Sequence, residues 1–212
     1  MLSVCETFSS IQGESTHAGR PCFFIRLAGC SCSCSYCDTE YAKAPGREYA
    51  LANLVSLARK SGLKLVEVTG GEPMEQRETP ELCRMLLEAG FEVLLETNGT
   101  IPLDAVPAGV RRIVDCKLPS SGMAARNCVD NYKLLGPGDE VKFVVGSRED
   151  FEYAARVIAE HRLADAGCEL LVSPVWGAVE LPELTKWVLE SGLPLRMQLQ
   201  MHKIIWGDKR GV

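Results

Sequence analysis

Four of the ten cysteines fall within the eight residues Cys30–Cys37, in the run GCSCSCSYC. Cys30, Cys34 and Cys37 have the spacing C-x3-C-x2-C. Three thiolates can hold three irons of a [4Fe-4S] cubane, whereas a purely structural cluster takes four, so the fourth iron would be open to a small-molecule ligand. Cys32 sits two residues from both Cys30 and Cys34, which is tight for a single cubane. It reads as a bystander, with a fourth or substitute ligand as the competing assignment. Zinc is the plainer alternative, but structural zinc sites pair two CxxC knuckles. No second pair is present, and His202 is the only suggestive distant partner. Nothing assigns a thioredoxin-like dithiol. Cys5, Cys22, Cys83, Cys116, Cys128 and Cys168 occur singly and read as small core hydrophobes.

The other unusual residues sit just after apolar runs of strand length. Such runs are Pro21–Leu27, Lys64–Val68, Phe91–Leu95, Arg111–Cys116, Glu140–Val145, Cys168–Val172 and Leu195–Leu199, with an eighth strand around Leu2–Phe8. The cysteine run follows the first of the seven, TGGEP the second, ETNG the third and DCKLPSS the fourth; SPVWG and QMHK follow the last two. Between them lie stripes of helical period: Leu51, Leu54, Val55 and Ala58, stopped by Gly62; Leu82, Met85, Leu86 and Ala89, closed by Gly90; Phe151, Ala154, Ala155 and Ile158; and Leu181, Leu184 and Val188, ended by Gly192. Thr79-Pro80-Glu81 predicts the start of the second helix, with Thr79 as its cap.

Strand–helix alternation implies parallel strands joined by crossovers. Crossovers such as Thr97–Gly109 are too short for a full helix, and a closed eightfold barrel takes about 250 residues. The sequence therefore predicts an incomplete, open parallel (β/α) barrel, a single domain over 1–212. In such barrels the loops after the strands gather at one face, so chemistry scattered along the chain converges in space.

Composition narrows the function classes. With 46% hydrophobic and 24% charged residues the chain is an ordinary globular one, and a net charge of −5 argues against a nucleic-acid binder, which would carry a basic stripe. No apolar run spans a bilayer, and the opening MLSVCETFSSIQGES lacks a secretory pattern. A cytoplasmic protein with no membrane partner is the expectation.

GCSCSCSYCDT followed by TGGEP resembles the radical S-adenosylmethionine superfamily. The resemblance implies that the open iron chelates S-adenosylmethionine, whose reductive cleavage yields a 5′-deoxyadenosyl radical. It also implies that Thr69, Gly70, Gly71, Glu72 and Pro73 form the loop for the methionine amino group; glycines let backbone oxygens approach such an ammonium. The opening FSSIQGESTHAGRPCFFIRLAGC, with CDT, ETNG and a final Q-x-H-K-x-I-W-G, is similar to 7-carboxy-7-deazaguanine synthases over essentially the whole chain. That family is implied to turn 6-carboxy-5,6,7,8-tetrahydropterin into 7-carboxy-7-deazaguanine with loss of ammonia, a lyase step toward queuosine and other deazapurines. Mg²⁺ is required, and S-adenosylmethionine is regenerated.

Carried over motif by motif, the resemblance implies substrate contacts from Ile11, Gln12, Gly13, Glu14, Arg26, Thr69 and His202. A reach of the Val212 carboxylate into the site extends the same argument. Arg26 offers a planar fork suited to carboxylate; a surface ion pair is its plainer reading. Thr39 would give a hydroxyl to Mg²⁺, which prefers oxygen, against a plainer role as a turn cap. S-adenosylmethionine would meet Tyr36, Cys37 and Asp38, then Gly71, then Asp115, Cys116 and Lys117, then Ser173, Pro174, Val175 and Trp176. Many relatives read S-P-K where this chain has Asp115-Cys116-Lys117. A flavodoxin- or ferredoxin-like electron donor and a homodimer are also implied. His17 and His161 read as a loop and a helix-surface residue without assignment. Competing functions are a glycyl-radical activase acting on a partner protein, which shares the cysteine spacing but not the IQGE and Q-x-H-K segments, and an iron–sulfur electron carrier, which has no need of TGGEP.

Overall fold

The computed structural model describes residues 1–207 and 209–212; Asp208, in the WGDKRGV tail, lies outside them. Nine strands form one sheet in the order β3-β1-β2-β4-β5-β6-β7-β8-β9. They are β1 (Leu2–Ile11), β2 (Pro21–Leu27), β3 (Arg47–Tyr49), β4 (Leu65–Gly70), β5 (Glu92–Thr97), β6 (Arg111–Cys116), β7 (Glu140–Val145), β8 (Glu169–Pro174) and β9 (Leu195–Met197). From β2 to β9 every neighbour is parallel, while β1 runs antiparallel to β2 and β3. The order is linear, so the barrel is open, as the sequence predicts.

Alternation along the strands makes two faces from one sequence. Ile25, Leu27, Val66, Val68, Val93 and Leu95 point outward under helices α1 (Leu51–Ser61) and α2 (Thr79–Glu88), packing with Leu54, Ala58, Leu82 and Leu86. Val114, Cys116, Val141, Phe143, Val145, Leu170 and Val172 do the same under α3 (Arg148–Glu160) and α4 (Leu181–Ser191), against Phe151, Ala154, Ile158, Leu184 and Trp187. Each fully buried large apolar side chain contributes roughly 1.5–3 kcal/mol. The inner face is stratified. Cys22, Phe24, Leu65, Leu94 and Ile113 form an apolar cluster with Phe8, and the next inward positions along β2, β4, β5, β6 and β7 are Arg26, Glu67, Glu96, Asp115 and Lys142.

Several sequence expectations move by a few residues. β4, β5 and β8 run two residues further than predicted, so Thr69, Gly70, Ser173 and Pro174 belong to strand ends. The short β3 and the C-terminal helix α5 (Met201–Trp206) carry no readable period. Thr79 is not the cap of α2: it is the first helical residue, buried, and its hydroxyl donates to the Pro73 carbonyl at 2.6 Å. Cys22, Cys83 and Cys116 are core residues as expected, whereas Cys5, Cys128 and Cys168 are only half-buried.

His17 has a structural role that its loop position did not reveal. It lies in the β1–β2 loop as read, but it is buried, with its Nε2 3.0 Å from Glu92 Oε1. The loop between β1 and β2 is closed by Gln12 N–H to Arg20 O and Gly19 N–H to Gln12 O, at 2.8 and 2.7 Å. Thr16 N–H donates to Glu140 at 3.0 Å, and Arg20 forks onto Glu92 at 2.9 and 2.6 Å. Glu92 and Glu140 open β5 and β7, so this loop is pinned to the starts of two barrel strands. His161 caps the end of α3, half-buried against Tyr132 with ring centroids 5.2 Å apart.

Candidate functional site

Three loops interlock at the ends of β2, β4 and β5. A Cβ on Gly71 would stand 2.1 Å from Gly29 O and 2.8 Å from Cys30 Cβ, and one on Gly70 would stand 2.3 Å from Leu27 O. The TGGEP loop can therefore lie against the cysteine run only with glycine at both positions. Glu72 locks the third loop: it accepts from Met74 N–H at 2.9 Å, Thr97 Oγ1 at 2.7 Å and Asn98 N–H at 2.6 Å. Burial still pushes its carboxyl up to about 7, against those bonds. Asn98 Nδ2 in turn donates to Cys32 Sγ at 3.5 Å and Cys30 Sγ at 3.7 Å.

The cysteines differ in exposure. Cys32 is buried, Cys30 and Cys34 are half-buried, and Cys37 is exposed. Burial raises the thiols of Cys30 and Cys34. No three His, Cys, Asp or Glu side chains converge on a single ion among the described residues. Thiolates of a cubane surround the cluster on separate irons and need not meet at one ion, and three cysteines on one loop are the donor chemistry such a cluster takes.

Beside these loops opens a cavity of about 670 Å³, inside the range of roughly 300–1,000 Å³ usual for ligand sites. Its walls bring together the IQGE segment (Ile11, Gln12, Gly13, Glu14), Arg26, Thr69 and Gly71. Cys34, Tyr36, Cys37, Asp38 and Thr39 line it, as do Asp115, Lys117, Pro174, Val175 and Trp176. The C-terminal segment closes it with His202 and Val212. Glu72 and Pro73 of the TGGEP loop do not line it, nor do Cys30, Cys116 and Ser173. Cys30 lies behind Gly71; Cys116 points outward into the helix-covered core; Ser173 is buried at the end of β8.

Charge inside the cavity is organised around Lys142, which the sequence reading did not single out. This buried lysine donates to Glu14 at 3.1 Å and also to Glu96, and lies 3.4 Å from Asp115 Oδ1. Burial opposes its charge, but Asp115, Glu14 and Glu96 outweigh burial and raise its pKa well above that of an ordinary lysine. Asp115 also pairs with Lys117 at 2.7 Å. One signal was available: a lysine alternating with the apolar residues Val141, Phe143 and Val145 of β7.

Arg26 is neither free nor on the surface. Its Nε donates to Glu6 Oε1 at 2.9 Å, where Tyr41 also donates at 2.8 Å, and its guanidinium lies 5.9 Å from the Phe8 ring centroid. Among the described residues its terminal nitrogens make no hydrogen bond. Phe8 stacks on Phe24 at 4.9 Å, giving the cavity a flat apolar side. Gln12 donates its amide N–H to Glu67 and accepts from Glu14 N–H at 2.8 Å.

Thr39 precedes the 3-10 turn Glu40–Lys43 without capping it; its hydroxyl donates to Asp38 Oδ1 at 2.9 Å. Burial works against ionised Asp38, but Lys203, 3.3 Å away, and bonds from Thr39 and Gln200 bring its carboxyl down to about 2. Helix α5 docks on the IQGE segment through Met201 N–H to Gly13 O at 2.9 Å. A Cβ on Gly13 would meet His202 Nδ1 at 2.4 Å.

The pattern of the radical SAM superfamily matches residues 24–120. The chain is similar to the 7-carboxy-7-deazaguanine synthase of Chlorobaculum tepidum, with 44% identity over 100% of this chain and 97% of the relative. It is 41% identical to that of Methanospirillum hungatei over 96% of this chain and 85% of the relative. In three dimensions it is similar to QueE from Escherichia coli, with a TM-score of 0.72 at 22% identity and 93% of each chain covered. That last likeness concerns the fold.

Proposed function

The chain belongs to the 7-carboxy-7-deazaguanine synthases of the radical SAM superfamily, and from that membership we propose that it converts 6-carboxy-5,6,7,8-tetrahydropterin into 7-carboxy-7-deazaguanine with loss of ammonia. A single observation carries this reading: one cavity joins the cysteine run and the TGGEP loop to the IQGE segment, Arg26 and His202. An electron carrier or an enzyme acting on a protein radical has no need of a ligand-sized cavity of mixed polar and apolar lining beside its cluster.

In this assignment Cys30, Cys34 and Cys37 hold the [4Fe-4S] cluster. Gly71, Tyr36–Asp38, Asp115–Lys117 and Ser173–Trp176 surround S-adenosylmethionine; within those segments Cys116 acts through backbone or packing, since its side chain faces the helix-covered core, and Ser173 is a buried wall residue paired with Val144. When bound, cluster and cofactor supply a carbon-centred radical able to remove a hydrogen atom from substrate. The protein's own groups bind and orient. Arg26 presents its two terminal nitrogens to the substrate carboxylate, held in plane by Glu6. Glu14, the backbone of Ile11–Gly13 and His202 face the donor and acceptor edge of the pterin, and Phe8 offers its face. Thr69, whose hydroxyl reaches Glu96 at 3.1 Å, ties the substrate wall to the TGGEP loop. Thr39 and Asp38 are oxygen donors of the kind Mg²⁺ takes, with Val212 at the far rim. A small reducing protein delivers the electron, and the working form is a homodimer.

Anaerobic reconstitution followed by assay with the carboxypterin, S-adenosylmethionine, Mg²⁺ and reductant tests this. The expected outcome is 7-carboxy-7-deazaguanine and ammonia in equal amounts with S-adenosylmethionine undiminished. Steady cleavage of S-adenosylmethionine without change in the pterin would overturn the substrate assignment.

A further inference from the structure

We propose that Asn98 is a positioning residue that sets the reduction potential of the cluster by donating its side-chain N–H to the sulfur of Cys30, with Cys32 as a second, non-ligating acceptor of the same amide. This rests on the cluster assignment above and adds a residue to it.

The geometry leaves the amide little choice. Asn98 is buried, its backbone N–H is taken by Glu72 Oε2 at 2.6 Å, and its Oδ1 accepts from Thr100 N–H at 2.9 Å. The carbonyl end of the side chain is thereby fixed, and Nδ2 is turned to the two sulfurs at 3.5 and 3.7 Å. The loop that carries it cannot drift. Thr97, one residue before, is held by the same Glu72, and a Cβ on Gly99, one residue after, would stand 2.4 Å from Asp115 O. Glu72 N–H is itself tied to Gly29 O at 2.8 Å, just ahead of Cys30. The donor and the sulfur are thus fixed to one another through Glu72.

Reduction places additional negative charge on the cluster sulfurs, so an N–H aimed at one of them favours the reduced state and raises the potential. In a buried setting such a bond is strengthened by the absence of competing water. Cys32 shares the amide, which accounts for a fourth cysteine in the run without a fourth ligand: its sulfur is buried and belongs to the packing behind the cluster.

The test is an EPR-monitored redox titration of the reconstituted full chain without S-adenosylmethionine, with iron and sulfide counted in each sample. Asn98→Ala is expected to shift the midpoint to more negative values. Asn98→Asp, which keeps an acceptor for Thr100 N–H but replaces the donor, should shift it further. Cys32→Ala should keep a full cluster and shift the midpoint the other way, because the amide is then left to Cys30. An unchanged midpoint in Asn98→Ala at full iron content overturns the proposal, as does a Cys32 variant that cannot hold iron. If the Asn98 variants fail to assemble, pulsed EPR of reduced wild type labelled with ¹⁵N-asparagine decides. A nitrogen coupling supports the contact, and its absence overturns it. Wild type that holds no [4Fe-4S] cluster at all would instead sink the function proposed above.

Discussion

At the scale of single residues, the cysteine run and Arg26 make separable demands. Cys30→Ala, Cys34→Ala and Cys37→Ala should each lose the cluster and all turnover, since each removes the protein's hold on one iron; Cys32→Ala should lose neither. Iron and sulfide content settles it, and an iron-free Cys32 variant would move the ligand assignment. Arg26→Ala should weaken carboxypterin binding by about 2–5 kcal/mol, the usual cost of leaving a desolvated charge unpaired. Arg26→Lys should be milder, keeping the charge without the fork. Both should bind S-adenosylmethionine normally, and loss of that binding with substrate affinity intact would place Arg26 in the other half of the cavity. The cysteines and TGGEP could be read because their types and spacing are unusual, whereas Arg26 came only from the resemblance of F-I-R-L-x-G-C to the family. Lys142, Glu67 and Glu96 could not be read as a group. Each is one charged residue in a separate strand, and only strand register brings them to one face. Glu6 and Tyr41 were invisible for the same reason: their partner, Arg26, lies on another segment.

At the scale of elements, the four long helices and most strands follow directly from period, because each helix stripe covers outward apolar residues of the sheet. What sequence period could not give was α5, six residues with no buried side chain, and β3, three residues paired only with β1. Elements that short are defined by what they dock on. For α5 that is the IQGE segment, and Gly13 is the point of contact. Gly13→Ala should push His202 and the Met201–Gly13 bond apart, raising KM for the pterin about tenfold or more (~1.4 kcal/mol per decade) with the cluster and thermal stability little changed. A KM equal to wild type would show that α5 and the IQGE segment tolerate separation and that their contact does not shape the site.

At the scale of the whole molecule, the β1–β2 loop ties distant parts of the barrel, and its ion pairs make stability depend on pH. Hydrogen bonds from Arg20 are the main cause that holds Glu92 at about 2, below its ordinary 4.5; burial opposes, and His17 assists. A carboxyl with a depressed folded pKa stabilises the fold fully above its unfolded value, and that contribution is lost as pH falls from about 4.5 toward about 2. Glu92→Gln should therefore lower the urea midpoint at pH 7 and flatten its decline below pH 4.5. Parallel acid profiles for variant and wild type would assign the acid sensitivity to other groups.

The layered interior has a further consequence, for heat tolerance. Glu67 sits one inward step beyond the apolar layer, almost without exposure, and Gln12 is the sole hydrogen-bond partner of its carboxyl among the described residues. Burial, with the nearby charge of Glu96, raises its pKa well above that of an ordinary carboxyl. A group shifted in this direction favours the folded state at low pH and withdraws that support as pH rises through its folded pKa. Glu67→Gln keeps the shape and the acceptor for Gln12 while removing the charge. It should raise the melting temperature at neutral and alkaline pH, by about 2–4 °C for each kcal/mol regained in a chain of this size. Differential scanning measurements at pH 5 and pH 9 check it, and a variant no more stable at the higher pH would show that the buried carboxyl costs the fold nothing. Ionisable groups built into the inner wall of a barrel thus lower its heat tolerance wherever burial is not offset by a partner. Lineages of such proteins moving into hotter habitats would be expected to neutralise this wall first at positions like 67, where the charge supports the least.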